Sequence, residues 1–289
     1  MWLLFACASA LFAGLTAVLA KQGVRTTDST LATALRTPVV LLGAWGMTLL
    51  SGSVHETGQV GARSLVYLVL SGLATGASWL CYFKALQLGD VSKVAPVDKM
   101  STVLTVIMAV LLLGEGLSAL GAVGLALVTV GTLLMLRAED LRSLPRALAG
   151  GGGWLLYALG AALFAALTAI LGKIGIAAVP SDLGTAIRTG IVLVMAWVMV
   201  GVAGRLGSAT RVPRGEMIWI LLSGAATCAS WLCYFRALQD GPASVVVPID
   251  KLSVLVSVAF SVLVLREHVG VRALLGLAML VVGTVALAL

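Results

Sequence analysis

Two short segments place an acid, a base and a hydroxyl side by side in apolar surroundings: APVDKMS at 95–101 and VPIDKLS at 247–253. Each carries an aspartate followed by a lysine, Asp98–Lys99 and Asp250–Lys251, with Ser101 and Ser253 three residues beyond the acid. Proline suits the first turn of a helix, where its missing N–H costs nothing. An aspartate two residues later then sits near the positive end of the helix dipole. At helical spacing Asp98 is followed along one face by Ser101, Thr102 and Thr105, and Asp250 by Ser253 and Ser257. Two arginines lie in equally apolar runs, Arg36 in LATALRTPVV and Arg188 in LGTAIRTGIV. Three readings stay open for these charges: a capped, solvated helix start, Arg–Asp ion pairs that fix helix positions, or direct handling of a substrate or proton.

Hydroxyls form a second pattern. Ser71, Thr75, Ser78 and Tyr82 are spaced three and four apart, and Ser223, Thr227, Ser230 and Tyr234 repeat the stripe. Within it, SWLCYFKALQ at 78–87 recurs as SWLCYFRALQ at 230–239. Such stripes either bond neighbouring helices in a packed bundle or line a polar cavity and offer hydrogen bonds to a solute. Trp79 and Trp231 fit a cavity wall and equally an anchor at a membrane interface.

The elements that hold these residues follow from composition. The chain of 289 residues is 60% hydrophobic and 11% charged, against roughly 45–50% and about 25% in soluble domains. Apolar stretches fall near 2–20, 31–50, 65–83, 94–113, 117–136, 154–172, 183–203, 217–235, 246–265 and 269–288. Each is close to the roughly 20 residues that cross a hydrocarbon core as a helix. Lipid cannot satisfy backbone polar groups, so helix is forced, and the alternating polarity of barrel strands is absent. An all-α integral membrane protein with ten spans is expected, with little chain left outside for a soluble catalytic domain. An ionisable residue at that depth is a functional candidate by default.

The first span has no basic region before it, unlike a secretory signal, and it has an internal twin at 154–172, so it is expected to be a permanent helix. Cys7, Cys81, Cys228 and Cys233 lie inside spans without metal or disulfide spacing and read as small apolar residues. His55 and His268 have no partners at ligand spacing. The net charge of +7 is carried mostly at span ends, which fits positive loops on one membrane face better than nucleic-acid binding.

Sliding the chain by 152 aligns 2–137 with 154–289 without a gap: Lys21 meets Lys173, Arg36 meets Arg188, Asp98 meets Asp250 and Glu115 meets Glu267. Each copy holds five spans. An odd number makes the second copy enter from the opposite side, so 1–136 and 154–289 are expected to be inverted repeats, joined by a cytoplasmic linker at 137–153. Twelve Lys and Arg fall on one face and three, Arg63, Lys173 and Arg236, on the other. The richer face is assigned to the cytoplasm, leaving both termini outside. Gly124 and Gly131, with Gly276 and Gly283, predict a close seam between spans 5 and 10, or between two molecules.

The five-plus-five design, SWLCYFKALQ, APVDKMS and the span-4 ending LLGE resemble the EamA-type branch of the drug/metabolite transporter superfamily over essentially the whole chain. Each half also resembles the single-repeat, five-span members. The resemblance implies a ten-helix carrier in a bacterial inner membrane that exports metabolites, amino acids or drugs, in exchange for protons. It also implies a central cavity walled by spans 3, 4, 8 and 9. Two departures stand out: the family is usually drawn with cytoplasmic termini, and Arg266 replaces Gly114 of the LGE ending in the second half.

The expected function is secondary transport by alternating access around a midplane cavity. Ser78, Tyr82, Ser101, Ser230, Tyr234 and Ser253 would supply hydrogen bonds, and Trp79 and Trp231 aromatic walls. Asp98 and Asp250 would couple protons or pair with Arg36 and Arg188, beside Lys99 and Lys251. The partners expected are a small-molecule substrate, the lipid bilayer and protons, in a monomer or homodimer, with no cofactor and no nucleic acid. A channel-like facilitator is the alternative, although hydroxyls interrupted by alanine and leucine describe a cavity better than a continuous polar path. An enzyme would need a nucleophile–base pair or metal cluster that the spans do not provide.

Overall fold

A computed structural model describes residues 1–88, 94, 97, 100–134, 153–263 and 270–289. Its helices are α1 (Trp2–Gly23), α2 (Ser29–Ser51), α3 (Ala62–Leu88), α4 (Ser101–Leu113), α5 (Ala119–Leu134), α6 (Gly153–Gly175), α7 (Ser181–Val202), α8 (Arg214–Asp240), α9 (Ala243–Lys251), α10 (Ser253–Leu263) and α11 (Val271–Ala288). Eight helical segments are long and apolar enough to cross a membrane, with α9 and most of α10 together forming one of them. The shorter apolar helices α4 and α5 complete a ten-span arrangement. The protein is an all-α integral membrane protein.

Local chemistry explains several boundaries. The Asp28 carboxylate accepts the N–H of Thr30 at 3.0 Å and of Leu31 at 3.3 Å, capping donors that α2 leaves unpaired. Gly52 ends α2 and Gly114 ends α4 with φ of 78° and 67°, a left-handed turn in which glycine has no Cβ to clash.

Small residues make up much of the buried interior, and many large apolar ones face outward. Ala6, Ala34, Ala44, Ala158, Ala161, Ala162 and Ala166 are fully buried, while Leu42, Leu50, Leu111, Leu156 and Leu275 point outward. Lipid is as apolar as leucine, so large side chains gain little by turning inward, and small ones let helices approach. The most extensive helix contacts join the two halves of the sequence: α3 with α6, α1 with α8, α5 with α11 and α2 with α7. Adding 152 to α3 produces α8 and subtracting 152 from α6 produces α1, so the first pair corresponds to the second and the packing follows the repeat.

The glycine seam lies within one molecule. A Cβ on Gly131 would come within 2.6 Å of the Gly276 carbonyl oxygen, and one on Gly124 within 2.6 Å of the Gly283 oxygen. Spans 5 and 10 therefore touch backbone to backbone.

The ninth span departs from the expected helix start at Pro248. Helix α9 begins earlier, at Ala243, and Pro248 lies inside it, so Asp250 sits at its C-terminal end rather than its positive end. The Leu252 N–H bonds back only three residues, to the Ile249 carbonyl at 2.9 Å, and α10 begins at Ser253. The span is two helices with Asp250 and Lys251 at the break.

Candidate functional site

The break faces a cavity of about 290 Å³ walled by α1, α3, α6, α7, α8 and α9. Helix α3 contributes Thr75, Ser78 and Trp79, and α8 contributes Ser230, Trp231, Tyr234 and Phe235. Thr168 comes from α6, Arg188 from α7, and Asp250 with Lys251 from the break. Of the residues singled out from sequence, Ser78, Trp79, Arg188, Ser230, Trp231, Tyr234, Asp250 and Lys251 converge here.

Asp250 accepts a hydrogen bond from Ser9 Oγ on α1 at 2.6 Å. The Ser230 hydroxyl lies 3.4 Å from that Oγ and 3.1 Å from the Ser9 carbonyl, to which it donates. Ser78, one repeat earlier, donates to the Ala161 carbonyl at 2.9 Å. The two stripe serines thus tie α3 to α6 and α8 to α1 at equivalent places. Among the described residues the second tie reaches an acid, Asp250.

Arg188 is 2% exposed. Its Nε donates to Ser71 Oγ at 3.0 Å and one Nη to Thr75 Oγ1 at 2.6 Å. The guanidinium carbon lies 4.9 Å from the Trp231 ring centre and 4.7 Å from that of Phe235, within reach of cation–π attraction. Among the described residues no ion pair joins Arg188 to Asp250. Two of the four hydroxyls of the α3 stripe, those of Ser71 and Thr75, therefore hold the arginine.

Other candidates lie elsewhere. Arg36 is half-buried beside a separate cavity of about 330 Å³ with Ser29, Thr33 and Ser223. Ser253 lines a second cavity of about 540 Å³ that shares Ala13, Asp250 and Lys251 with the first. Ser101 is buried at the start of α4, and Tyr82 packs on the apolar cluster of Ala85, Val94 and Trp154. Asp98 and Lys99 lie outside the described residues.

Sequence reasoning passed over Ser9, Thr168 and Phe235. Ser9 had a signal: it is a hydroxyl inside an apolar span whose aligned partner, Ala161, lacks one. A clamp at the end of the cavity helices was also missed. Glu115, between α4 and α5, accepts the N–H of Ala243 at 2.7 Å and of Ser244 at 2.8 Å, capping α9. Lys173 Nζ lies 3.0 Å from the same carboxylate and also donates to the Gly241 carbonyl. Burial works to raise the Glu115 pKa, but these bonds outweigh it and hold the carboxyl below its ordinary range.

A ten-span helical protein enclosing a polar, charged and aromatic cavity between its halves has the build of a solute transporter. The chain belongs to the EamA-like transporter family, which it matches over residues 1–137 and 152–289. A relative from Sinorhizobium sp, "Uncharacterized transporter in cobO 3'region", is 46% identical over 134 residues, covering 46% of this chain and 95% of that protein. A solved structure described only as "Crystal structure of protein" superposes with a TM-score of 0.74 over 100% of this chain and 98% of its own, at 19% identity. At that identity the likeness concerns the fold.

Proposed function

We propose that this transporter is a secondary active carrier that exports a small organic solute by alternating access. The observation that supports it most is the convergence of Arg188, Asp250, Lys251, hydroxyls and tryptophans from both halves on one cavity. Two five-helix halves, 1–136 and 154–289, act as inverted repeats around it, joined by a cytoplasmic linker at 137–153. Support comes from the 152-residue correspondence of the helix contacts and from a relative matched over 95% of its length by only 134 residues, about one half of this chain. The broken ninth span puts an acid at the discontinuity, as carriers of this type do with their coupling sites. Asp250, with Asp98 as its aligned partner, carries the coupling proton. The cation-poor face and both termini lie outside a bacterial inner membrane.

The test is counterflow in proteoliposomes with a panel of labelled metabolites, with and without a pH gradient. A carrier shows saturation and trans-stimulation. A channel-like facilitator shows neither. Pairing Asp98→Asn with Asp250→Asn should abolish pH-driven exchange, and unchanged pH dependence would remove the aspartates from coupling.

A further inference from the structure

The Arg188 guanidinium has five N–H donors, and the described residues provide acceptors at two of its nitrogens: Ser71 Oγ for Nε and Thr75 Oγ1 for one Nη. The other nitrogen, Nη1, is buried and has no hydrogen-bond partner among the described residues. An unmet donor on a buried cation is costly to maintain, and here it belongs to a side chain on the cavity wall. The guanidinium carbon lies over the Trp231 and Phe235 rings, and Nη1 is the nitrogen left for a ligand. Ser71 and Thr75 hold the guanidinium in place before anything binds.

The charges of the cavity point to the class of ligand. Among the described residues that line it, Arg188 and Lys251 stand against Asp250. With all three ionised these described residues carry an excess of one positive charge, and protonation of Asp250 increases that excess. A single negative charge on the solute neutralises it. A planar carboxylate matches the guanidinium edge, and a volume of about 290 Å³ suits a solute of few atoms.

We propose that the solute is a small organic monocarboxylate whose carboxylate accepts from Arg188 Nη1. The inference rests on the carrier reading of the same cavity and deepens it, since neutral or cationic solutes would serve that reading equally well.

Trp79 and Trp231 line the cavity, so tryptophan emission of the purified full-length protein in detergent reports occupancy. Three isosteric pairs serve as probes: isobutyrate and isobutyramide, benzoate and benzamide, phenylacetate and phenylacetamide, with benzylamine as the cation. At least one acid should bind roughly tenfold or more tightly than its amide, the scale of one charge-assisted hydrogen bond. Arg188→Gln should erase the difference, while Arg188→Lys should keep part of it, because a point charge remains without the planar fork. Elution of each variant as a monodisperse peak separates loss of binding from loss of fold, and the comparison of pairs on the unaltered protein needs no variant.

Equal binding of acids and amides overturns the proposal, as does a panel in which no acid changes the emission. Persistence of the preference in Arg188→Gln does so too. Counterflow with the same compounds keeps the two readings apart. Exchange of benzylamine or an amide, but not of the acids, leaves the carrier standing and removes the carboxylate subsite. Exchange of none of them, nor of any metabolite in the wider panel, removes the carrier.

Discussion

Ser9 on the first span donates a hydrogen bond to Asp250 on the ninth at 2.6 Å, joining residues 241 positions apart in sequence. The aligned position in the other half is Ala161, which has no hydroxyl to offer. The two halves are therefore chemically unequal where they are most alike in packing, and the acid of the second half has a partner of its own on the first.

Removing that partner should impair transport without unfolding the protein. Ser9→Ala is expected to lower the counterflow rate by roughly tenfold, the scale of one hydrogen bond to a charged group. Ser9→Thr, which keeps the hydroxyl, should retain most of it. Equal rates for the alanine variant and the unaltered protein would show that the bond has no part in the cycle.

The Glu115 clamp makes a prediction with a defined pH sign. Its carboxyl is held below its ordinary range in the folded protein, so its contribution is complete above the unfolded carboxylate value of about 4.3 and is lost as pH falls through the lower folded value. Glu115→Gln should lower stability by about 1–3 kcal/mol near neutral pH, through weakened capping of α9 and loss of the Lys173 ion pair. Thermal unfolding in detergent should show a constant gap between variant and parent from about pH 7 down to about pH 5, closing only at more acid pH. A gap that closes near neutrality would contradict the bonding around Glu115.

Two glycine substitutions should act with opposite signs. At Gly131 an added Cβ meets the backbone of α11 at 2.6 Å, and backbone cannot step aside as a side-chain tip can. Gly131→Ala is expected to destabilise by about 1–3 kcal/mol. Gly46, inside α2, has nothing within 4 Å of the same position. Gly46→Ala should stabilise by about 0.5–1 kcal/mol through helix propensity. Thermal shifts of the two variants measured together check both.

Membrane sidedness is testable with reporters. Alkaline phosphatase fused to the C-terminus should be active, because that terminus is proposed to lie outside. Green fluorescent protein inserted in the arginine-bearing loop 203–213 should fluoresce, since that loop is assigned to the cytoplasm. The reverse pattern would invert the proposed topology and with it the direction assigned to export.

The stripes on α3 and α8 were legible because hydroxyls three and four apart must share a helix face. Their destinations were not. Ser71 and Thr75 carry Arg188, and Ser78 ties α3 to α6. Sequence also offered Arg188 as a partner for Asp250 on charge alone. Hydroxyls of Ser71 and Thr75 take two nitrogens of the arginine and that of Ser9 bonds the aspartate, and that choice depends on which helices are neighbours. Lys173 and Glu115 were visible as residues repeated at the 152 shift, yet nothing in the spacing revealed that they meet each other at the start of α9.

The membrane class, the ten spans and the internal repeat were determined by sequence alone. Lipid makes every span close its own backbone hydrogen bonds, so roughly 20 apolar residues in a row are enough to specify a helix, and a repeat can be read by alignment. Which helices touch, where the ninth span breaks and which hydroxyl reaches which charge were decided only by the tertiary structure. The hydroxyl contacts among them join residues from 83 to 241 positions apart, and they depend on small side chains that let particular helices come close, a property that hydropathy does not record.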